Sequence, residues 1–225
     1  MAGHRQPWVY KSVRSVGIFL PKFQPEYKGK IFADRLCVRG SAFWLKDPPI
    51  LVTCAHVVES LATLPVELTG LLVIGNCGNY MRVAIGLLDF MHDLALLVPK
   101  DVNNEVLDRE SGNGLEIADH YPKVGEEVEY AGFPLGFQLM DSSQAPSYAN
   151  GVTSAQLRDE GIRKVIQITG SIAPGYSGSP VVTKRNPRKV IGIISNSPSK
   201  EAGDAQIFMA VSWEHLRVLS KLIIP

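Results

Sequence analysis

The chain has 225 residues, a length that one all-β domain routinely fills, and its 45% apolar and 20% charged residues describe an ordinary folded globule. With 23 Lys and Arg against 22 Asp and Glu, the net charge is +1, so the balance singles out neither nucleic acid nor an anionic membrane as a partner. Three cysteines, Cys37, Cys54 and Cys77, cannot all pair within one chain, and none sits in a CxxC or CxxH pair. Buried thiols in a reducing, cytoplasmic setting are therefore expected in place of a disulfide framework or a metal site.

The opening MAGHRQPWVYKSVRSVGIFL is basic but lacks the uninterrupted apolar core of a secretory signal, and no apolar run reaches the length of a membrane helix. PKFQPEYKGK (21–30), rich in Pro and Lys, predicts an exposed loop. From there short apolar runs alternate with Gly, Pro, Asn and Asp at β-barrel spacing. They are SAFWL (41–45), ILVTC (50–54), MRVAIGLL (81–88), LALLV (94–98), EEVEYAGF (126–133), GVTSAQL (151–157), KVIQITG (164–170), SPVVT (179–183) and KVIGIIS (189–195). LMDSSQAPSYAN (139–150) predicts a second exposed loop, and KRNPRK (184–189) a solvated hairpin turn. At the end Ser212 can cap an amphipathic helix with Trp213, Leu216, Leu219 and Leu222 or Ile223 on one face, Glu214 early, and Arg217 and Lys221 late, as the helix dipole favours.

Chemistry concentrates in three places. GYSGSP (175–180) sets Ser177 between glycines directly before a strand. A nucleophile needs such a turn, because backbone N–H groups must point at the oxyanion that forms beside it; Gly175 and Ser177 are the expected donors. The Gly-x-Ser turn partly fits the GxSxG elbow of an α/β-hydrolase, with Ser179 in place of its last glycine, but that elbow leads into a helix and needs a later histidine, and the only later one, His215, lies in the terminal helix. In VTCAHVV (52–58), His56 follows a buried strand and can take the serine proton as general base. In HDLALL (92–97), Asp93 stands at a strand start, where a carboxylate can hold the imidazole tautomer; Asp89, four residues earlier, is its rival. Each residue alone has a bland reading, as a core histidine or a turn aspartate. The order His, Asp, Ser with these flanks is far more specific.

At these motifs the chain resembles the trypsin-like peptidases, and particularly the HtrA branch. That branch carries patterns such as VTNAHVV, DLALL, GNPFG, INPGNSGGPL and VIGI, answered here by VTCAHVV (52–58), DLALL (93–97), GFPLG (132–136), IAPGYSGSPV (172–181) and VIGI (190–193). GVTSA (151–155) and IFMAVSWEHLRVL (207–219) also match in order, so the resemblance spans roughly residues 36 to 220. It implies an all-β fold of two six-stranded antiparallel barrels with a C-terminal helix. The single domain then divides at about 1–115, 116–205 and 206–225: first barrel, second barrel, and final strand with helix. The triad His56, Asp93 and Ser177 lies in the cleft. The implied activity is serine endopeptidase, acting on a protein or peptide substrate with no cofactor.

The family's primary specificity pocket maps onto Ser171, Ile172 and Ala173 and onto Ser195, Asn196 and Ser197. Ser171 at its base offers no carboxylate for a Lys or Arg side chain, and a cation entering a low-dielectric pocket without a partner loses several kcal/mol of solvation. A small or medium apolar residue before the cut bond (P1) is expected, with Phe208 and Met209 filling remaining space. Departures from the pattern are Ser179, where the family has glycine, and Tyr176, where secreted relatives have an acidic residue that pairs with a newly cut N-terminus. No PDZ module is expected, since the sequence ends after the terminal helix; the resemblance leaves room for a homo-oligomer. The competing function is a protease-like binding module without activity. A cysteine nucleophile would require Cys at position 177. His4, His56, His92, His120 and His215 show no HxH or HExxH spacing, so no metal is expected.

Overall fold

The computed structural model describes residues 7–20, 35–59, 71–76, 79–100, 103–134, 145–160, 163–196 and 207–222. Each of the nine apolar runs falls on a strand. After a short helix α1 (Trp8–Ser12), strands β1 (Val13–Leu20), β2 (Arg35–Trp44), β3 (Leu51–Thr53), β4 (Leu71–Asn76), β5 (Asn79–Asp89) and β6 (Leu94–Pro99) form a closed barrel in the order β1-β2-β3-β6-β5-β4. Every pairing in it is antiparallel, and Val13, Val16, Phe43, Val52 and Leu97 are fully buried. Each such Val, Leu or Phe side chain contributes roughly 1.5–3 kcal/mol on leaving water. A short helix α2 (Ala55–Glu59) follows β3.

The chain leaves this barrel through α3 (Asn104–Ser111), whose first turn is capped where Asn103 Oδ1 accepts from the Val106 N–H at 2.9 Å. Leu115 is still tied to the first barrel: its N–H donates to the Trp44 carbonyl, and its carbonyl accepts from the Lys46 N–H. The next two residues, β7 (Glu116–Ile117), already belong to the second sheet.

That sheet comprises β7, β8 (Glu127–Gly132), β9 (Ser147–Glu160), β10 (Arg163–Gly170), β11 (Pro180–Thr183), β12 (Asn186–Asn196) and β13 (Ile207–Ser212), in the order β11-β8-β9-β10-β13-β12-β7, with β11 also pairing β12. The expected count of six is thus exceeded by one, because Glu116 and Ile117 add a parallel strand against Lys189 and Val190. The 184–189 turn is tighter than expected: only Lys184 and Arg185 turn, and β12 begins at Asn186. A third of the second expected loop is likewise strand, since Ser147 to Asn150 pair with Gly132 to Glu129. The first expected loop, and residues 139–144 of the second, lie outside the described residues.

The terminal helix α4 (Trp213–Ser220) is capped by Ser212, and Trp213, Leu216 and Leu219 are buried as its period requires. Leu222 is instead 63% exposed, because the helix ends at Ser220 and a turn carries the chain away from the core; Ile223 lies outside the described residues. One apolar cluster runs from the first barrel into Phe133, Val182, Val190, Ile193 and Val211 of the second sheet. This shared core fixes the two sheets against each other. Among the described residues no helix is long and apolar enough to cross a membrane.

Candidate active site

His56 and Asp93 come from the same end of one antiparallel β-pair. β3 and β6 are hydrogen-bonded neighbours, with Thr53 opposite Ala95. Two residues before Ala95, Asp93 closes the turn from β5, and three after Thr53, His56 sits in α2. Asp93 adopts φ 56°, a left-handed conformation costly for most residues but tolerated by aspartate. It aims the carboxylate at His56: Oδ1 accepts from the His56 backbone N–H at 3.0 Å, and Oδ2 lies 2.8 Å from Nδ1. A carboxylate can only accept here, so Nδ1 carries the proton and Nε2 is left free as a base.

Burial raises the Asp93 pKa, but the hydrogen bonds and charge of His56 and a hydrogen bond from Ser195 outweigh it and hold the carboxyl below its usual 3.8. The rival Asp89 is engaged elsewhere, its carboxylate 2.6 Å from His92 Nδ1. The register that sets Asp89 opposite Leu94 leaves a four-residue turn, 90–93, and puts Asp93 beside His56.

Ser177 sits in the turn before β11. Gly175 (φ 103°) and Gly178 (φ 88°) both lie in the left-handed region. At Gly178 a Cβ would come 1.9 Å from the Ser41 carbonyl oxygen, so this position excludes any side chain. Ser41, on the first barrel, pins the turn. Its N–H donates to the Ser177 carbonyl at 2.8 Å, its hydroxyl donates to the Gly175 carbonyl at 2.8 Å, and that hydroxyl accepts from the Phe133 N–H at 2.9 Å. From the second sheet, the Gly178 N–H donates to the Ile194 carbonyl. Among the described residues no protein acceptor takes the N–H of Gly175 or Ser177, the arrangement an anion-binding turn needs.

Ser195 ties these parts together. Its hydroxyl donates to Asp93 Oδ2 at 2.5 Å, and its carbonyl accepts from the Ser177 hydroxyl at 3.4 Å. Sequence reading placed Ser195 only in the pocket wall and overlooked this link. Ser41 and Thr53, whose hydroxyl donates to the Ser41 carbonyl at 2.7 Å, were also missed. No local motif marks them, since each acts on a residue far away in the chain.

Of the remaining pocket residues, Ser171 is exposed, Ile172 and Ala173 are half-buried, and Ser195 is buried. The Asn196 backbone pairs with Met209, while the Asn196 side chain and Ser197 lie outside the described residues. The Tyr130 hydroxyl donates to the Ser171 carbonyl at 3.1 Å, and its buried ring meets Tyr176 edge-on, with Ile168, Ile194 and Phe208 in the same cluster. Burial pushes the Tyr130 phenol up to about 12, so it stays neutral at any working pH. Ser179 fits the glycine position with its hydroxyl buried and without a hydrogen-bond partner among the described residues.

His56 and Asp93 also gather a residue that the sequence did not connect with them. Cys54 is buried, and its Sγ lies 3.2 Å from the Ile194 carbonyl oxygen. One ligand atom from each of Cys54, His56 and Asp93 falls within 4.8 Å of the others, a spacing suited to a metal ion.

The family profile described as the trypsin-like peptidase domain matches residues 40–193. No curated protein sequence matches the chain significantly. Among solved structures, the HtrA-type protease AlgW with a decapeptide superposes at TM-score 0.68 and 18% identity, over 94% of this chain and 64% of that one, so the chain spans somewhat less than two thirds of AlgW. The active form of the Rv3671c protease from M. tuberculosis gives TM-score 0.64 at 16% identity, over 93% of this chain and 79% of that one. Its inactive form gives 0.60 at 16% identity, over 91% and 84%. At such identities these likenesses speak to the fold.

Proposed function

The chain belongs to the trypsin-like peptidase domain family, and from that premise we propose that it is a serine endopeptidase of the HtrA kind, with Ser177 as nucleophile, His56 as general base and Asp93 as the group that orients the base. The observation that carries this reading is the double role of Ser195, whose hydroxyl binds Asp93 while its carbonyl holds the Ser177 hydroxyl. One residue of the second sheet thereby gathers the nucleophile and the His56–Asp93 pair.

At rest the Ser177 hydroxyl points to Ser195, and attack requires it to turn about χ1 toward His56 Nε2. Nε2 takes the hydroxyl proton as the oxygen adds to the scissile carbonyl, and the imidazolium so formed is stabilised by Asp93. The oxyanion settles against the N–H groups of Gly175 and Ser177. Each such preorganised donor is worth roughly 3–4 kcal/mol of barrier. Nε2 then returns the proton to the leaving amine, giving an acyl-enzyme on Ser177 that water hydrolyses by the same path in reverse. We also read the second sheet as a six-stranded barrel carrying β7 as an appendage; the added pairing of β11 with β12 supports this.

A peptide substrate accords with the decapeptide on AlgW. For the P1 residue, no carboxylate stands at Ser171, and the neutral Tyr130 reaches its backbone, which favours a small or medium apolar side chain such as Ala, Val or Leu. Neighbouring apolar residues should be separated by only about 1–3 kcal/mol per methylene. Cleavage of a proteome-derived peptide library tests the assignment. Enrichment of small apolar P1 residues is expected, and a dominant Lys, Arg, Asp or Glu signature would overturn it.

A further inference from the structure

We propose that Cys54, His56 and Asp93 form an inhibitory site for a thiophilic divalent cation such as Zn²⁺. The three residues offer a sulfur, an imidazole nitrogen and a carboxylate oxygen, all within 4.8 Å of one another. Around tetrahedral Zn²⁺ such ligand atoms stand about 3.3–3.6 Å apart, given metal distances of about 2.0–2.3 Å. His56 Nδ1 and Asp93 Oδ2, now 2.8 Å apart, must separate by about half an ångström, and the thiol must move inward by no more than about 1.5 Å. The His56 side chain is 43% exposed, so the ion approaches from the cleft, and Cys54 beneath supplies the buried ligand. Solvent takes the fourth position.

The charges balance. Binding releases the Cys54 thiol proton to solvent and moves the His56 proton from Nδ1 to Nε2, so the imidazole stays neutral and the thiolate and the Asp93 carboxylate together neutralise the ion. The neutral cluster avoids the cost of leaving a lone charge in a buried place. A thiolate among the ligands selects Zn²⁺ or Cd²⁺ over Mg²⁺ and Ca²⁺. The loss of function follows from the same atoms: the metal replaces the hydrogen bond by which Asp93 holds Nδ1–H, and the imidazole no longer serves as base. Inhibition therefore rests on the peptidase reading, whereas binding does not.

The test separates the two. After treatment with a chelator, Co²⁺ is titrated into the parent chain and into Ser177→Ala, and the thiolate-to-Co²⁺ charge-transfer band is followed. One equivalent should bind in both, and the band should vanish in Cys54→Ala and Cys54→Ser; serine keeps the size of the side chain and a donor for the Ile194 carbonyl. In parallel, turnover of a peptide substrate is measured against Zn²⁺, each variant relative to its own metal-free rate. Half-inhibition of the parent should occur at a Zn²⁺ concentration at least about tenfold lower than for Cys54→Ser, since loss of even a supporting contact costs about 10–100-fold in metal affinity. Millimolar Mg²⁺ should leave the parent's turnover unchanged.

A parent that shows no thiolate band, or a band that persists in both Cys54 variants, would overturn the site. Equal Zn²⁺ sensitivity in parent and Cys54→Ser would overturn the inhibitory role. A Cys54-dependent band in a parent without peptidase activity would instead leave the metal site standing and count against the proposed function.

Discussion

Replacing Asp93 by Asn separates the orienting role of the carboxylate from mere space filling, and the geometry dictates which way the amide must sit. Oδ1 accepts from the His56 backbone N–H, which can only donate, so the asparagine carbonyl must take that position. The NH₂ group then occupies the place of Oδ2, 2.8 Å from Nδ1, where it can only donate. Nδ1 must become the acceptor, the proton moves to Nε2, and the nitrogen facing the nucleophile can no longer take its proton. A wrong-tautomer histidine costs about 10⁴ in kcat, equivalent to about 5.4 kcal/mol of barrier. Initial rates on casein, with folding checked by circular dichroism, give the answer. Asp89→Asn is the control, because that carboxylate faces His92. If Asp93→Asn kept its rate within tenfold of the parent, or if Asp89→Asn were the crippling change, the assignment of the orienting carboxylate would be wrong.

Ser195→Ala removes the 2.5 Å hydrogen bond to Asp93 while leaving the Ser195 carbonyl in place. A bond to a charged group is worth about 1.5–3 kcal/mol, so kcat should fall by about 10- to 100-fold, and an unchanged kcat would refute the link. Stability should depend on His215. Burial, together with the charge of the stacked His92 ring, lowers its pKa below 6.5 in the fold, and Nε2 accepts the Lys164 N–H. As pH falls through 6.5 the unfolded chain takes up the proton first, so this contribution is fully present above that value and is lost below it. Urea midpoints between about pH 7.5 and 5.5 should fall less steeply in His215→Gln than in the parent, and identical slopes would contradict the assignment.

The candidates His56, Asp93 and Ser177 stood out in the sequence because each is marked by its local surroundings: a strand end, a turn before a strand, and a glycine-flanked turn. Asp93 was preferred there to its rival Asp89 on the HDLALL motif alone, without the register that separates them. Both precede the LALL run, and only the register of β5 against β6 brings one of them to His56. The links made by Ser195 and Cys54 were hidden for a different reason, since Ser195 meets Asp93 across 102 residues of sequence and Cys54 meets Ile194 across 140. Contacts of that range depend on how two sheets dock, which short motifs do not encode.

Polar composition also misled the reading of 147–150 and 186–189. Tyr148, Ala149 and Asn150 pair with β8, and Arg188 and Lys189 continue β12, so turn-forming and charged residues there face outward from a ladder set by their partners. β7 is two residues long, too short for any alternation to register.

The central claim, that Ser177 is an activated nucleophile, is tested most directly by labelling the intact chain with a fluorophosphonate probe and sequencing the modified peptide by mass spectrometry. Covalent capture needs the nucleophile, the His56 base and the Gly175 and Ser177 donors to act together. The account predicts a single adduct on Ser177, absent in Ser177→Ala and strongly slowed in Asp93→Asn. A folded chain that takes up no label, or an adduct on Ser179 in place of Ser177, would contradict it.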